Sequence, residues 1–586
     1  MIEDGNPDSG AMDHDRDLGP TLKNLARLAG VDFIQVQRVL CALCEAGQAP
    51  IGWLVEATRV PHRTVVDTLR ALHLKIQDDV AALPEEMHDE LADLLRCHRL
   101  KWLDSVGRME NDPTLRDLMP LVEEISAGLP PSVWNLDHVP ATTETKLRRA
   151  LYLASHYELR ASHLLCLGDH DLTSVVTKMI EPEVRVSVVD IDERLLEYLD
   201  KVSDRHGLAI HLAFGDLRLG LPISLQGSAA LVFTDPPYTN EGIELFVRRA
   251  LEGLASTPHA RLLFCYGVNE WHLNRALTAQ RMVHHLRLVL EALLPGFNVY
   301  RGAHAIGANS SLWVCRATRH TWTALDSLEA HEARIYSRGK SSEESAEATI
   351  VPEIREAIER EVSRVPGSVG LIGDGWERLK LDEAGHSMSI RRLLESATEW
   401  PDRMGGRRWP DLLLINLGRF YGDSLPRVLM AAPAVSRLLI VVDNRAIQAT
   451  EVRSRGPIRR LVEARFSIGP VLSGRQGQLS VLAATPRPGS DRSDVDHVLA
   501  YLQDHQGAKL RNAWCEALIG LAARGGGSLT KNEARLLIGK GSLRNLELDS
   551  RMLELPLHRL KTLVDDVSRT VEHVLARSIS HPRSVE

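Results

Sequence analysis

Leu-Leu-Cys-Leu-Gly-Asp-His-Asp (164–171), Val-Ser-Val-Val-Asp-Ile-Asp (186–192) and Ala-Ala-Leu-Val-Phe-Thr-Asp-Pro-Pro-Tyr (229–238) decide the fold. Each is an apolar run that ends in an acidic turn. In an open α/β sheet, ligands sit in the crevice beyond the carboxyl ends of the strands, so carboxylates at successive strand ends face one pocket. Such a pocket binds hydroxyls and amines. Gly168 permits a tight turn and a close approach to a ligand where a side chain would clash. Asp190 stands 22 residues further on, the place from which an acidic residue accepts the hydroxyls of a ribose in dinucleotide folds. Gly215-Asp216, after an expected third strand at Ala209–Phe214, would hold an adenine amino group. In Asp235-Pro236-Pro237-Tyr238 the paired prolines stiffen the backbone and fix a carboxylate and an aromatic ring at the sheet edge. Alkylation of an amine requires such an acceptor, because the nitrogen must be neutral to attack and its proton needs a destination. The three runs at strand spacing predict a Rossmann-like nucleoside site of the methyltransferase and spermidine-synthase type.

Five motifs together resemble the branched-chain polyamine synthases, also called bis(aminopropyl)spermidine synthases. They are Asp137-His138-Val139-Pro140-Ala141-Thr142-Thr143-Glu144-Thr145, Leu147-Arg148-Arg149-Ala150, Gly168-Asp169-His170-Asp171-Leu172-Thr173-Ser174, Val189-Asp190-Ile191-Asp192-Glu193-Arg194 and Asp235-Pro236-Pro237-Tyr238-Thr239-Asn240-Glu241-Gly242. The resemblance spans about residues 30–320. It implies transfer of an aminopropyl group from decarboxylated S-adenosylmethionine to a polyamine such as spermidine, with methylthioadenosine released and no metal involved. By position, Gly168, Asp190, Asp192, Asp216 and Pro236 would hold the nucleoside. Asp169, His170, Asp171, Asp235 and Tyr238 would face the reacting amine, and Asp137, Glu144 and Glu241 would contact the substrate. One position departs from the family pattern, which resembles Gly-Asp-Asp-Asp: here the middle aspartate is His170. A neutral imidazole still accepts a proton near pH 7, whereas a protonated one repels a polycation.

Two rival readings are a methyltransferase using S-adenosylmethionine on an amine or nucleobase, with Tyr238 stacked on a flipped base, and a non-catalytic scaffold or regulator. The net charge of −8 argues against a chain-wide nucleic-acid footprint. No apolar run approaches the length of a membrane span, and the acidic, polar amino terminus has the character of a disordered tail. Seven cysteines in expected helices and strands fit reduced thiols in a cytoplasmic protein. A zinc site from Cys41, Cys44, Cys97 and His98 would need all four to converge; Cys41 and Cys44 sit in an apolar helical pattern and are expected to be buried small hydrophobes.

The expected divisions are a tail (1–18), a helical, winged-helix-like domain (19–130), a Rossmann-like catalytic domain (131–325), a linker (326–350), a degenerate Rossmann-like domain (351–487), and a linker with a helical tail (488–586). In the second division Ile51–Ala57, a turn, and a helix from Pro61 to Leu72 give a helix-turn-helix pattern. His62, Arg63 and Arg70 would face DNA, but Glu56, Asp67, Asp78 and Asp79 favour a lid or dimerisation role. The degenerate domain rests on an internal repeat. Val369–Gly375 echoes Leu164–Asp171, Asp411–Gly418 echoes the strand before Asp235, Arg437–Val442 echoes Arg261–Phe264, and Phe466–Arg487, including Gly477-Gln478, parallels Phe297–Arg316. Asn416-Leu417-Gly418 replaces Asp-Pro-Pro-Tyr, so this half reads as inert, packed on the active half as an intrachain pseudo-dimer; a homodimer is the other expected assembly.

Overall fold

The computed structural model describes residues 18–99, 113–132, 136–267, 273–301, 308–327, 350, 352–365, 367–376, 379, 387–396, 409–473 and 479–580. The expected tail apart from Leu18, most of the 326–350 linker and Gly477-Gln478 lie outside these residues. The apolar runs that open the sequence become strands buried on both sides, which parallel strands flanked by helices require. Strands β4 (His163–Leu167), β5 (Arg185–Asp190), β6 (Ile210–Phe214), β7 (Leu231–Thr234), β8 (Arg261–Tyr266), β9 (Val289–Val299) and β10 (Asn309–Arg316) form one sheet in the order β6-β5-β4-β7-β8-β10-β9. The first five are mutually parallel, and β10 and β9 add an antiparallel edge. The chain runs outward from β4 to β6 and returns to lay β7 against β4, so the topological switch lies between β4 and β7. Loops leaving those two strands therefore flank the crevice where ligands sit in this architecture.

Strands β11 (Val369–Ile372), β12 (Ser387–Met388), β13 (Leu412–Gly418), β14 (Arg437–Asp443), β15 (Phe466–Ser473) and β16 (Leu479–Pro486) form a second sheet in the order β12-β11-β13-β14-β16-β15. Position by position this is the first sheet without a counterpart of β6, including the antiparallel pairs at the far edge. Registers align the two switch points. Leu167 pairs with Thr234 in the first sheet and Ile372 with Ile415 in the second. Gly373 thus corresponds to Gly168, both with positive φ, and Asn416 corresponds to Asp235. Leu167 also pairs with Val189, and Ile372 with Met388, so Ser389 stands where the first sheet has Asp190.

The carboxy-terminal helices are not a loose tail. Helices Asp494–Asp504, Leu510–Arg524, Lys531–Gly539 and Leu557–Ser580 share one core with a face of the second sheet, built around the fully buried Trp514. They also clamp helix Glu193–His206 of the first sheet. Asp200 accepts from His558 and Arg559, each at 2.9 Å, and Glu193 accepts from Arg427 at 2.8 Å and from the Leu557 amide at 2.7 Å. Burial would raise the Asp200 carboxyl, but the hydrogen bonds from His558 and Arg559 outweigh it and hold the group down to about 2.

Residues 18–95 form helices Leu18–Ala29, Phe33–Ala46, Ile51–Thr58, His62–Ala71 and His88–Leu94 around a three-stranded antiparallel sheet of β1 (Gln48–Pro50), β3 (Val80–Ala82) and β2 (Lys75–Gln77). The unit docks through Asp32, which accepts from Arg261 at 3.0 Å and His259 at 2.9 Å, and through Arg38, which donates to the Ser155 carbonyl at 2.9 Å. Arg261 opens β8, so this contact lies at the amino end of the sheet. The expected lid role is corrected on this point: the described part of the unit sits at the end opposite the crevice. His62, Arg63 and Arg70 are exposed.

The cysteine expectation also needs correction, because Cys41 is not a free buried thiol. It is bridged to Cys97, 56 residues away, with a Cα–Cα distance of 5.4 Å. Packing of helix Phe33–Ala46 against the segment after His88–Leu94 brings the two together, and the argument from free thiols to a cytoplasmic setting falls with it. No described helix is long and apolar enough to cross a membrane. Closing a loop of this length stabilises a fold by roughly 4 kcal/mol on chain-entropy grounds. Alkylation of the unfolded, unreduced protein should tag five thiols by mass spectrometry; tagging of all seven would show that the bridge does not form.

Candidate active site

Gly168, with φ of 69°, turns the chain sharply after β4 and opens the floor of a cleft with an empty volume of about 850 Å³. Asp169, His170 and Asp171 follow on the same loop, Asp190 ends β5, and Asp235-Pro236-Pro237-Tyr238 follows β7. All of these line the cleft, as does Asp137, which also has a positive φ of 54°. The strand ends therefore bring four carboxylates, Asp169, Asp171, Asp190 and Asp235, to one wall.

Backbone groups fix the β4–β5 side of that wall. The Asp190 carboxylate accepts from the Asp192 amide at 2.8 Å and the Asp169 amide at 3.2 Å, which ties the first two strand ends together. Burial nevertheless pushes its pKa up to about 6. Asp169 accepts from the Ser174 amide and hydroxyl at the start of helix Thr173–Ile180, yet burial raises it to about 7.

The opposite side is organised by a residue absent from the expected set. Arg149, on helix Thr143–His156, is 1% exposed. Its Nη1 donates to Asp171 at 2.9 Å, its Nη2 to Asp235 at 2.6 Å and its Nε to Asn298 at 2.8 Å. Asp171 also accepts from the Ala141 amide at 2.7 Å. Tyr300 donates to Asp235 at 2.8 Å, and Tyr238 reaches the Tyr300 hydroxyl at 3.1 Å. Burial raises Asp235 to about 6 although the adjacent Arg149 opposes the shift. At neutral pH this carboxylate is ionised and held in one orientation, able to take a proton from a group entering the cleft. Tyr238 is itself engaged, its ring stacked on Tyr266 with centroids 5.7 Å apart.

His170 packs against His138, ring centroids 4.4 Å apart, and burial followed by the neighbouring His138 lowers its pKa. The imidazole in the family aspartate's place is therefore neutral at pH 7 and does not repel a cation.

The remaining expected residues lie elsewhere. Asp192 caps helix Glu193–His206 and pairs with Arg194 at 2.7 Å, so it supports the β5 turn without lining the cleft. Asp216 is taken up by Arg218 at 2.6 Å and lines a separate cleft that the second sheet's domain helps to wall. Glu144 and Glu241 occupy first turns of helices Thr143–His156 and Asn240–Gly253, where they are exposed and outside the cleft lining. Among the described residues no group of three or more His, Cys, Asp or Glu side chains is arranged so that it could hold a metal ion. A signal for Arg149 did exist in the sequence: several buried carboxylates at one place demand a buried cation, and Lys146, Arg148 and Arg149 lie on the helix that leads into them. Tyr300, at the end of a strand-like run, carried no such mark.

Removing a partner from a buried ion pair costs about 3–5 kcal/mol, because a charge is stranded. Arg149→Met should lower unfolding stability by about that amount in urea at pH 8, and a loss below about 1 kcal/mol would show that the two carboxylates do not depend on the guanidinium.

These features define a Rossmann-like domain with an acidic ligand cleft at its topological switch point. Residues 117–351 match the branched-chain polyamine synthase A C-terminal domain, which bears out the resemblance for this stretch; the match starts after the amino-terminal unit. An N(4)-bis(aminopropyl)spermidine synthase of Thermococcus kodakarensis is 30% identical over 196 residues, 33% of this chain and 56% of that protein. An uncharacterized protein of Methanocaldococcus jannaschii is 35% identical over 172 residues, 29% of this chain and 43% of its own. The chain thus spans about half the length of the curated relatives it matches. A crystal structure of the branched-chain polyamine synthase from Thermus thermophilus, in complex with N4-aminopropylspermidine and 5'-methylthioadenosine, is similar at 22% identity and a TM-score of 0.34, covering 56% of this chain and 98% of that one.

Proposed function

We propose that the domain around the cleft, residues 131–325, transfers an aminopropyl group from decarboxylated S-adenosylmethionine to an amine of a polyamine such as spermidine. The observation that carries the proposal is the convergence of Asp169, Asp171, Asp190 and Asp235 on one cleft, together with relatives named N(4)-bis(aminopropyl)spermidine synthase. A wall of carboxylates offset by one guanidinium suits two cationic reactants, a sulfonium and a polyamine. Asp190 accepts the ribose hydroxyls, and Gly168 lets the backbone approach the nucleoside. The acceptor nitrogen attacks the methylene carbon bound to the sulfonium sulfur. A C–N bond forms, the C–S bond breaks with its electron pair passing to sulfur, and methylthioadenosine leaves. The proton on the new ammonium passes to Asp235, which Arg149 and Tyr300 hold in place. Asp137 and the neutral His170 line the acceptor side.

The experiment is incubation with decarboxylated S-adenosylmethionine and spermidine, with products read by mass spectrometry. A product heavier by one aminopropyl unit is expected, and Asp235→Asn should cut the rate by roughly 10²–10⁴-fold while methylthioadenosine still binds. A methylated product from S-adenosylmethionine would instead favour the methyltransferase reading.

Because the ribose hydroxyls donate to an ionised carboxylate, methylthioadenosine should bind best above the Asp190 pKa of about 6 and release a proton on binding near it. Affinity should fall as pH drops below about 6, by up to roughly tenfold per pH unit. Calorimetry across pH 5–8 checks this, and a flat profile would remove Asp190 from ribose binding.

The matching strand orders support a further reading, in which residues 351–487 are a degenerate copy that braces the first as an intrachain partner. Asn416 and Ser389 stand where the active copy needs acids. Asp374→Ala should leave the transfer rate unchanged within about twofold, and a large loss would overturn the inert assignment. The helix order and three-stranded sheet of residues 18–95 support a winged-helix-like unit with an assembly role at the base of the sheet.

A further inference from the structure

Behind Asp235, the side chains of Arg149, Asn298, Ser310 and Tyr300 close a hydrogen-bonded ring with it. Asn298 on β9 and Ser310 on β10 are paired across the two strands, so their side chains leave the same face of the sheet. Tyr300 stands two residues beyond Asn298 and points the same way. Arg149 Nε donates to Asn298 Oδ1 at 2.8 Å, and Asn298 Nδ2 donates to Ser310 Oγ at 3.0 Å. Ser310 Oγ lies 2.8 Å from the Tyr300 hydroxyl. The ring closes on Asp235 Oδ2, which accepts from Tyr300 at 2.8 Å and from Arg149 Nη2 at 2.6 Å. Asn298 and Ser310 are 0% and 1% exposed, so water does not compete for these bonds.

Elementary valence fixes the direction of every bond. A guanidinium only donates, so the Asn298 oxygen faces Arg149 and its NH₂ group faces Ser310. An ionised carboxylate only accepts, so the single Tyr300 proton lies on the Asp235 side. Tyr300 then has no proton left for Ser310, and the serine hydroxyl donates to the phenol oxygen. Tyr238 at 3.1 Å and Arg149 Nη2 at 3.3 Å approach that oxygen as further donors.

We infer that Asn298 and Ser310, both outside the cleft lining, are positioning residues that act through Tyr300 and Arg149 to hold the Asp235 carboxylate ionised and in one orientation. Hydrogen bonds in a chain reinforce one another, so donation into the Tyr300 oxygen makes its own proton a stronger donor to Asp235. That donation favours the ionised carboxylate, as Arg149 does, against burial and the neighbouring Asp171. The other titratable groups near Asp235 are the Tyr238 phenol and the Cys265 thiol, both pushed up by burial and neutral at pH 7. The catalytic consequence rests on the transfer reading given above, in which Asp235 receives the proton from the new ammonium.

The test is a carbon NMR titration of the full chain labelled at its aspartate carboxyl carbons, the Asp235 signal being the one that Asp235→Asn removes. Ser310→Ala should move its midpoint up from about 6 by about half a pH unit, and Tyr300→Phe by roughly one unit or more. Adding Ser310→Ala to Tyr300→Phe should change nothing further, because the phenol that carries the effect is gone, whereas a merely structural role would add to it. Ser310→Thr keeps the hydroxyl and should return the wild-type midpoint. Ser310→Cys, close in size and a weak donor, serves in place of the alanine variant if that does not fold. Asn298→Ala should shift the midpoint in the same direction as Ser310→Ala. In the transfer assay Ser310→Ala should lower kcat roughly tenfold and leave KM for spermidine unchanged. The titration needs no turnover, so an inactive wild type counts against the transfer reading while the NMR still judges the ring. An unchanged Asp235 midpoint in the Ser310 and Asn298 variants, or a Ser310→Ala shift that persists in full without the phenol, would overturn the inference.

Discussion

A guanidinium buried between two carboxylates holds the candidate site together. Arg149 bridges Asp171, on the loop after β4, and Asp235, on the loop after β7, and so spans the switch point of the sheet. Without a cation there, the carboxylates gathered at these strand ends would repel one another in a buried setting and favour protonation. With it, Asp171 and Asp235 keep fixed positions at the two strand ends. The same contact ties helix Thr143–His156 to both strand ends, which makes the cleft wall and the core of the domain one structure.

Much of this was legible because a strand end is a local event. An apolar run followed by Gly-Asp or Asp-Pro-Pro-Tyr states in a few residues where the chain turns and what it presents, so the places of Gly168, Asp190 and Asp235 follow from the pattern. Asp216 shows the limit of that logic. It follows β6 as expected, but Arg218, two residues on, takes its carboxylate, and the surface it faces exists only because the second sheet's domain packs there. Asp192 was likewise in the right turn, yet its carboxylate caps the next helix. Arg149 and Tyr300 are separated from the acids they hold by tens of residues, and the Cys41–Cys97 bridge joins positions 56 apart. Tertiary convergence of that kind leaves no periodic mark on the sequence.

The second sheet repeats the strand order of the first, and Asp374 follows Gly373 as Asp169 follows Gly168, but Ser389 and Asn416 stand where the first has Asp190 and Asp235. Helix Glu193–His206 of the first domain is gripped by Arg427 of the second sheet's domain and by Arg544, His558 and Arg559 of the carboxy-terminal segment.

An acidic wall held by Arg149 should select a cationic donor without a carboxylate. Calorimetric titration of the full chain with decarboxylated S-adenosylmethionine and with S-adenosylmethionine tests it most directly. Clearly tighter binding of the decarboxylated form is expected, because the extra carboxylate would face Asp169, Asp171 and Asp235. Equal or tighter binding of S-adenosylmethionine would contradict it.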